Sequence, residues 1–75
     1  MMQLSKLDKF LKIPPDKFGS IYQISLTYQN NKYCAELCLQ SRDCEILKVI
    51  NSSVSDVSAA HALFFLECKI EEDQI

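Results

Sequence analysis

Apolar residues near the amino terminus recur at helical spacing. Within residues 4–13 they stand three or four positions apart, at Leu4, Leu7, Phe10 and Leu11. This spacing predicts an amphipathic helix. The lysines of the segment fall between the apolar positions and are predicted to face solvent: Lys6, Lys9 and Lys12. Pro14 and Pro15 end the helix, because proline disfavours the helical conformation of the residue before it.

The middle of the chain alternates with a period of two. Residues 22–28 read Tyr-Gln-Ile-Ser-Leu-Thr-Tyr, which predicts a half-buried strand. Asn30-Asn31 fits a two-residue hairpin turn, since asparagine tolerates positive φ. Residues 32–40 form the predicted return strand. A second turn at residues 41–43 leads to a third strand, predicted from Cys44 to Ile50 and rich in β-forming side chains.

A second helical pattern follows the third strand. Ser53 is predicted to be its N-cap, with Asp56 three residues later. From Val54 onwards the apolar positions recur at helical spacing, at Ala59, Ala62, Leu63, Leu66 and Ile70. The acidic residues Glu71, Glu72 and Asp73 oppose the dipole at a helix C-terminus, so we expect the helix to fray there.

These elements predict an α+β fold in the order α-β-β-β-α. Three consecutive strands with short turns give a three-stranded antiparallel sheet, and two amphipathic helices cover one face of it. With 75 residues the chain is expected to be one domain, spanning residues 1–75, and a fragment of a longer protein.

Charge and hydropathy limit the classes of function that we expect for the chain. The formal net charge is −2, whereas a domain that grips nucleic acid usually carries clustered lysine and arginine. The sequence has neither a membrane-length apolar run nor a signal-peptide pattern. We therefore expect a cytoplasmic protein with reduced cysteines.

The reactive side chains do not form a catalytic or metal-binding pattern. Cys34 and Cys38 point to the same face of a strand but lie about 13 Å apart at roughly 3.3 Å per residue, too far for one zinc ion or one disulfide. His61 is the only histidine, and no nucleophile or carboxylate motif accompanies it. We expect neither enzyme activity nor a cofactor.

The third strand is the strongest candidate for a binding site. In a meander it lies at a sheet edge, yet its segment carries only two charges, and edge strands in monomers are normally protected. The predicted function is strand addition that forms a homodimer. The predicted interface comprises Cys44, Glu45, Ile46, Leu47, Lys48, Val49 and Ile50, with Ile46, Leu47, Val49 or Ile50 packing across the two-fold axis.

The last helix offers a second candidate surface. Phe64 and Phe65 are adjacent, and on a helix they cannot both face one narrow core stripe. Either the buried face is wide, or one phenylalanine is partly exposed to a partner. Phe64 and His61 are the residues we assign to a partner surface.

The pattern of the chain resembles the double-stranded-RNA-binding domain. The family's last helix carries Ala-Ala, two residues, Ala-Leu, one residue, an aromatic residue and Leu. Here these positions hold Ser58, Ala59, Ala62, Leu63, Phe65 and Leu66. The run Tyr33-Cys34-Ala35-Glu36-Leu37 resembles the second strand of one subgroup, the third domain of Dicer-partner proteins such as TRBP, PACT and Loquacious.

The resemblance implies a protein partner. RNA-binding members use the first helix, the loop between the first two strands, and lysines at the start of the last helix. Here the predicted loop is a two-residue turn, and the helix start reads Ser53-Val54-Ser55-Asp56. The subgroup implies homodimerisation through the third strand, docking onto the helicase region of Dicer, and a role in small-RNA production in which other domains bind the RNA. Two alternatives are a similar interaction domain within Dicer itself and a true RNA-binding domain that uses the first-helix lysines.

Overall fold

A computed structural model describes residues 3–70 and confirms the predicted fold class. Its elements are α1 (Ser5–Leu11), β1 (Ile21–Gln29), β2 (Lys32–Gln40), β3 (Ile46–Ser55) and α2 (Ala59–Lys69). The strands form one antiparallel sheet in the order β1-β2-β3. The predicted fraying at Glu71, Glu72 and Asp73 lies outside the described residues.

The core lies between the two helices and one face of the central strand. Alternate residues of β2 point to this face, because successive side chains of a strand point to opposite sides. Phe10 packs edge to face on Tyr22 of β1, with ring centroids 5.0 Å apart. The buried cluster consists of Leu7, Phe10, Ala35, Leu37, Ala62, Leu66 and Ile70.

The hairpin between β1 and β2 forms as predicted. Asn30 and Asn31 have φ values of 55° and 62°, the left-handed conformation that a type I′ turn requires at both central residues. The register then runs without a break from Gln29 opposite Lys32 to the far end of β1.

The predicted boundary between the third strand and the last helix is wrong. β3 continues to Ser55, and the segment predicted as the helix start pairs with β2, with Ala35 opposite Ser53 and Tyr33 opposite Ser55. Had β3 ended at Ile50, the backbone groups on this part of β2 would lack ladder partners. The sequence did not predict this part of the strand because its inward-facing residues are serines. The alternation of apolar and polar residues that predicts a strand is therefore absent.

Ser53 therefore has a different role from the predicted N-cap. It is buried in β3, and its hydroxyl donates a hydrogen bond to the carbonyl of Ala62 on α2. The N-cap is Ser58, whose hydroxyl oxygen accepts the backbone N–H of His61 at 3.1 Å. Small residues on both sides of this contact allow the helix to lie close to the sheet.

Candidate interaction edge

The first half of β3 is an exposed apolar edge. Ile46, Leu47 and Val49 each expose about half of their surface, and Lys48 is the only charged residue between Ile46 and Ser55. The strand order leaves one side of β3 without a neighbouring strand. We call residues 46–50 the β3 edge segment.

Two residues of the predicted interface lie outside the strand. Cys44 has a φ of 67° and belongs to the turn before β3. The Cys44 N–H donates to the Ser41 carbonyl at 3.0 Å, and the Glu45 carbonyl accepts from the Ser41 N–H at 2.8 Å. The Glu45 N–H donates to the Ser41 hydroxyl oxygen at 3.1 Å. These backbone groups are engaged within the turn, so only the part of the predicted interface from Ile46 onwards has edge geometry.

Two register shifts bend the β3 edge segment. Leu37 pairs with Asn51 while Cys38 pairs with Val49, so Ile50 has no residue opposite it on β2. A second shift between Leu39 and Gln40 does the same for Leu47. Bulges of this kind twist an edge and shorten the stretch along which another strand can pair.

Side chains cover the edge of β3 at Ser52. The ammonium group of Lys69 donates to the Ser52 carbonyl at 2.8 Å, and the Ser52 N–H donates to the Asn51 side-chain oxygen at 3.1 Å. The Asn51 amide in turn donates to the Lys69 carbonyl at 3.3 Å. These bonds take up the outward-facing backbone groups of Ser52 and so interrupt the open edge of β3 at that residue, which separates the β3 edge segment from the end of the strand.

His61 and Phe64, the α2 residues that the sequence assigns to a partner surface, are both exposed. Phe64 and Phe65 are both about two-fifths exposed, and the Phe65 ring lies 6.1 Å from the His61 ring. The His61 Nδ1 lies 2.8 Å from the Ser58 hydroxyl, which orients the imidazole beside the helix N-terminus. Sequence reasoning assigned Phe64 to a partner surface and did not assign Phe65, which is exposed to the same extent.

In the RNA-binding family that the sequence resembles, three regions contact RNA. The corresponding regions of this chain offer few free positive charges. The turn between β1 and β2 has only two residues, and the first turn of α2 contains neither lysine nor arginine. Lys12, the C-cap of α1, pairs with Asp8 at 2.8 Å. Lys6 is partly buried and its ammonium donates to the Ile70 carbonyl at 3.0 Å, so the prediction that it simply faces solvent is wrong.

The cysteines are unpaired and dispersed. Cys44 and Cys68 are exposed, whereas Cys38 is buried on the sheet. Burial raises the pKa of the Cys38 thiol, and the negative charge of Glu36 raises it further. Residues 3–70 contain no group of three or more histidine, cysteine, aspartate or glutamate side chains arranged to hold a metal ion.

Sequence reasoning also passed over the second edge of the sheet. A three-stranded meander has two edges, and β1 is the other one. Its nine residues contain neither charge nor proline, which a direct reading of the sequence could have noted. Leu26 and Tyr28 of β1 are exposed at its turn end.

Comparisons with known proteins do not assign a family. No family model, curated protein or solved structure matches the chain. Neither helix described in residues 3–70 is long and apolar enough to cross a membrane. Function is therefore inferred from the fold and from the residues on its surface.

Proposed function

We propose that this domain is a protein-interaction module that accepts an extended segment of a partner protein along the β3 edge segment. The observation that carries the proposal is the half-exposed apolar group formed by Ile46, Leu47 and Val49 beside an unpaired strand edge. Main-chain hydrogen bonds supply affinity in strand addition, and the alternating side chains supply specificity.

A protein partner fits the charge distribution better than RNA. Duplex RNA binding depends on several lysine or arginine contacts to phosphate. Of the three lysines in α1 and at its C-cap, one is paired with Asp8 and one donates to the Ile70 carbonyl. Asp56 stands just before α2. An RNA-binding function through α1 is the less supported alternative.

The β3 edge segment suits another protein better than a second copy of the chain. Antiparallel self-pairing centred on this segment places Lys48 opposite Lys48, and like charges directly opposite each other are destabilising. A partner strand with an acidic residue at that position removes the repulsion. The homodimer through β3 stays a prediction, and the resemblance to Dicer-partner domains makes the helicase region of Dicer the first partner to test, with a cytoplasmic role in small-RNA production.

The decisive experiment compares two matched arginine variants. Leu47 is 54% exposed and Val57 is 65% exposed, so arginine at either position leaves the core intact. We expect Leu47→Arg to weaken binding of the Dicer helicase region at least about tenfold, and Val57→Arg to bind like the unmodified chain. Both are titrated by calorimetry, after circular dichroism confirms their fold.

Three results would each overturn part of the proposal. Equal binding by both variants would remove the β3 edge segment as the site. Salt-steep binding of duplex RNA by the unmodified chain, lost on changing Lys9 to glutamine, would make the domain an RNA binder instead. If the helicase region fails to bind the unmodified chain, the proposed Dicer partnership is wrong.

A further inference from the structure

The β1 edge lacks the features that protect the β3 edge. Its nine residues contain no charge and no proline, and its register against β2 has no shift from Ile21 to Gln29. Flat, uncharged edges of this length are the ones that pair with other strands. β1 lies on the opposite side of the sheet from β3, so pairing there leaves the β3 edge segment accessible.

The turn fixes which backbone groups of β1 point outwards. In a two-residue hairpin the closing pair, Gln29 and Lys32, is hydrogen bonded. Because bonded and non-bonded pairs alternate along an antiparallel ladder, the peptide groups of Thr27, Ser25 and Gln23 point to β2. The outward-facing peptide groups belong to the alternate residues, which are Tyr22, Ile24, Leu26 and Tyr28.

The sequence of β1 is nearly symmetric about Ser25. Counting outwards from Ser25, one side reads isoleucine, glutamine, tyrosine and the other reads leucine, threonine, tyrosine. We propose that β1 pairs antiparallel with β1 of a second copy of the chain, with the two-fold axis at Ser25. The register places Ile24 opposite Leu26, Tyr22 opposite Tyr28, and Gln23 opposite Thr27.

This register matches side chains on both faces of the sheet. On the helix side, the exposed Leu26 and Tyr28 gain apolar partners, and no charge is brought into the contact. On the open side, Gln23 and Thr27 form a non-hydrogen-bonded pair, in which side chains approach closely.

The expected dimer is weak. A nine-residue strand spans about 30 Å at ~3.3 Å per residue, and a strip of that length lies at the small end of protein interfaces, where association is transient. The dimer is therefore expected to depend on concentration over the micromolar range. It goes beyond the proposed function, because it assigns self-association to β1 and the heterologous partner to β3.

Ser25 permits a charge-swap test, since only this register places it opposite itself. Ser25→Glu and Ser25→Lys are each expected to dimerise at least about tenfold more weakly than the unmodified chain. The glutamate variant should dimerise more weakly than the lysine variant, because Glu36 is paired with position 25 on the same face and adds a further negative charge. An equimolar mixture of the two variants should recover the dimer as a heterodimer.

Sedimentation velocity from about 5 µM to about 500 µM measures each sample, with thermal unfolding as the check on folding. A mixture of Thr27→Glu and Thr27→Lys is the control. In this register Thr27 lies opposite Gln23, so the glutamate and the lysine do not face each other and mixing should not restore the dimer. Leu47→Arg should dimerise like the unmodified chain, which separates this proposal from the one for β3. A monomer at every concentration, or a dimer abolished by Leu47→Arg, would overturn the β1 dimer.

Discussion

The carboxylate of Glu67 on α2 accepts a hydrogen bond from the backbone N–H of Leu7 on α1, with 2.9 Å between Oε1 and the nitrogen. Its other oxygen accepts the Lys6 N–H at the same distance. The residue at the α1 N-cap, Leu4, provides no side-chain hydrogen bond. Glu67 thus caps α1 from the other helix, where a negative charge also favours the helix dipole.

Glu67→Gln should destabilise the fold by about 1–3 kcal/mol. Glutamine retains one acceptor oxygen but turns an NH₂ group towards a buried backbone donor. Urea unfolding monitored by circular dichroism measures the change, and Glu45→Gln is the control because Glu45 is exposed. Equal midpoints for the two variants would show that the cap contributes little.

Asp16 should make the free energy of unfolding depend on pH in the acidic range. Its carboxylate accepts the N–H groups of Ser20 at 3.0 Å and Phe18 at 2.8 Å, and these bonds lower the pKa of Asp16 from 3.8. Because the pKa of this carboxyl is lower in the folded state, its ionised form stabilises the fold at pH values above the unfolded-state pKa. This stabilisation is lost as the pH falls through the folded-state pKa.

Asp16→Asn should therefore narrow the stability difference between neutral pH and pH values below about 4. Thermal unfolding at a series of pH values tests this, with Asp43→Asn as a control at another exposed position. If Asp16→Asn and the unmodified chain lose stability in parallel, the loop hydrogen bonds do not act through ionisation.

The four thiols should differ in reactivity. Cys44 and Cys68 are exposed, whereas Cys38 is buried and has a raised thiol pKa, which lowers the fraction of reactive thiolate. Brief alkylation with a maleimide at neutral pH, followed by peptide mass spectrometry, should label Cys44 and Cys68 first and Cys38 last. Early labelling of Cys38 would mean that this part of the sheet opens readily.

Lys69→Met should expose more of the β3 edge. The substitution removes the donor to the Ser52 carbonyl, while the effect on stability should stay within about 1 kcal/mol because the bond is exposed. We expect increased aggregation in turbidity measurements at high protein concentration, since an unprotected edge favours pairing. Lys9→Met is the matched control, and equal aggregation by both variants would contradict the protective role of Lys69.

The parts of the fold that sequence reasoning predicted depend on local patterns. The Asn30-Asn31 turn and the alternation around it are short-range signals, and β2 has the predicted bounds Lys32–Gln40. The helix order also followed from spacing, although Leu11 on α1 is about half exposed instead of buried.

The parts that sequence reasoning missed depend on contacts between distant residues. Ser53 reads as a helix cap, but its inward position opposite Ala35 and its bond to Ala62 make it a strand residue. The Lys69 contact that closes the β3 edge joins residues 17 positions apart. Such a contact leaves no periodic signal, so the length of the accessible edge could not be predicted.

Hydrogen–deuterium exchange of the whole chain tests the central claim most directly. The amides of residues 46–50 should gain protection when the Dicer helicase region is added, and should be unaffected by duplex RNA. Protection of the same amides must be reduced in Leu47→Arg and retained in Val57→Arg. Protection confined to α1 on addition of RNA, with no change along β3 on addition of the protein, would contradict the account.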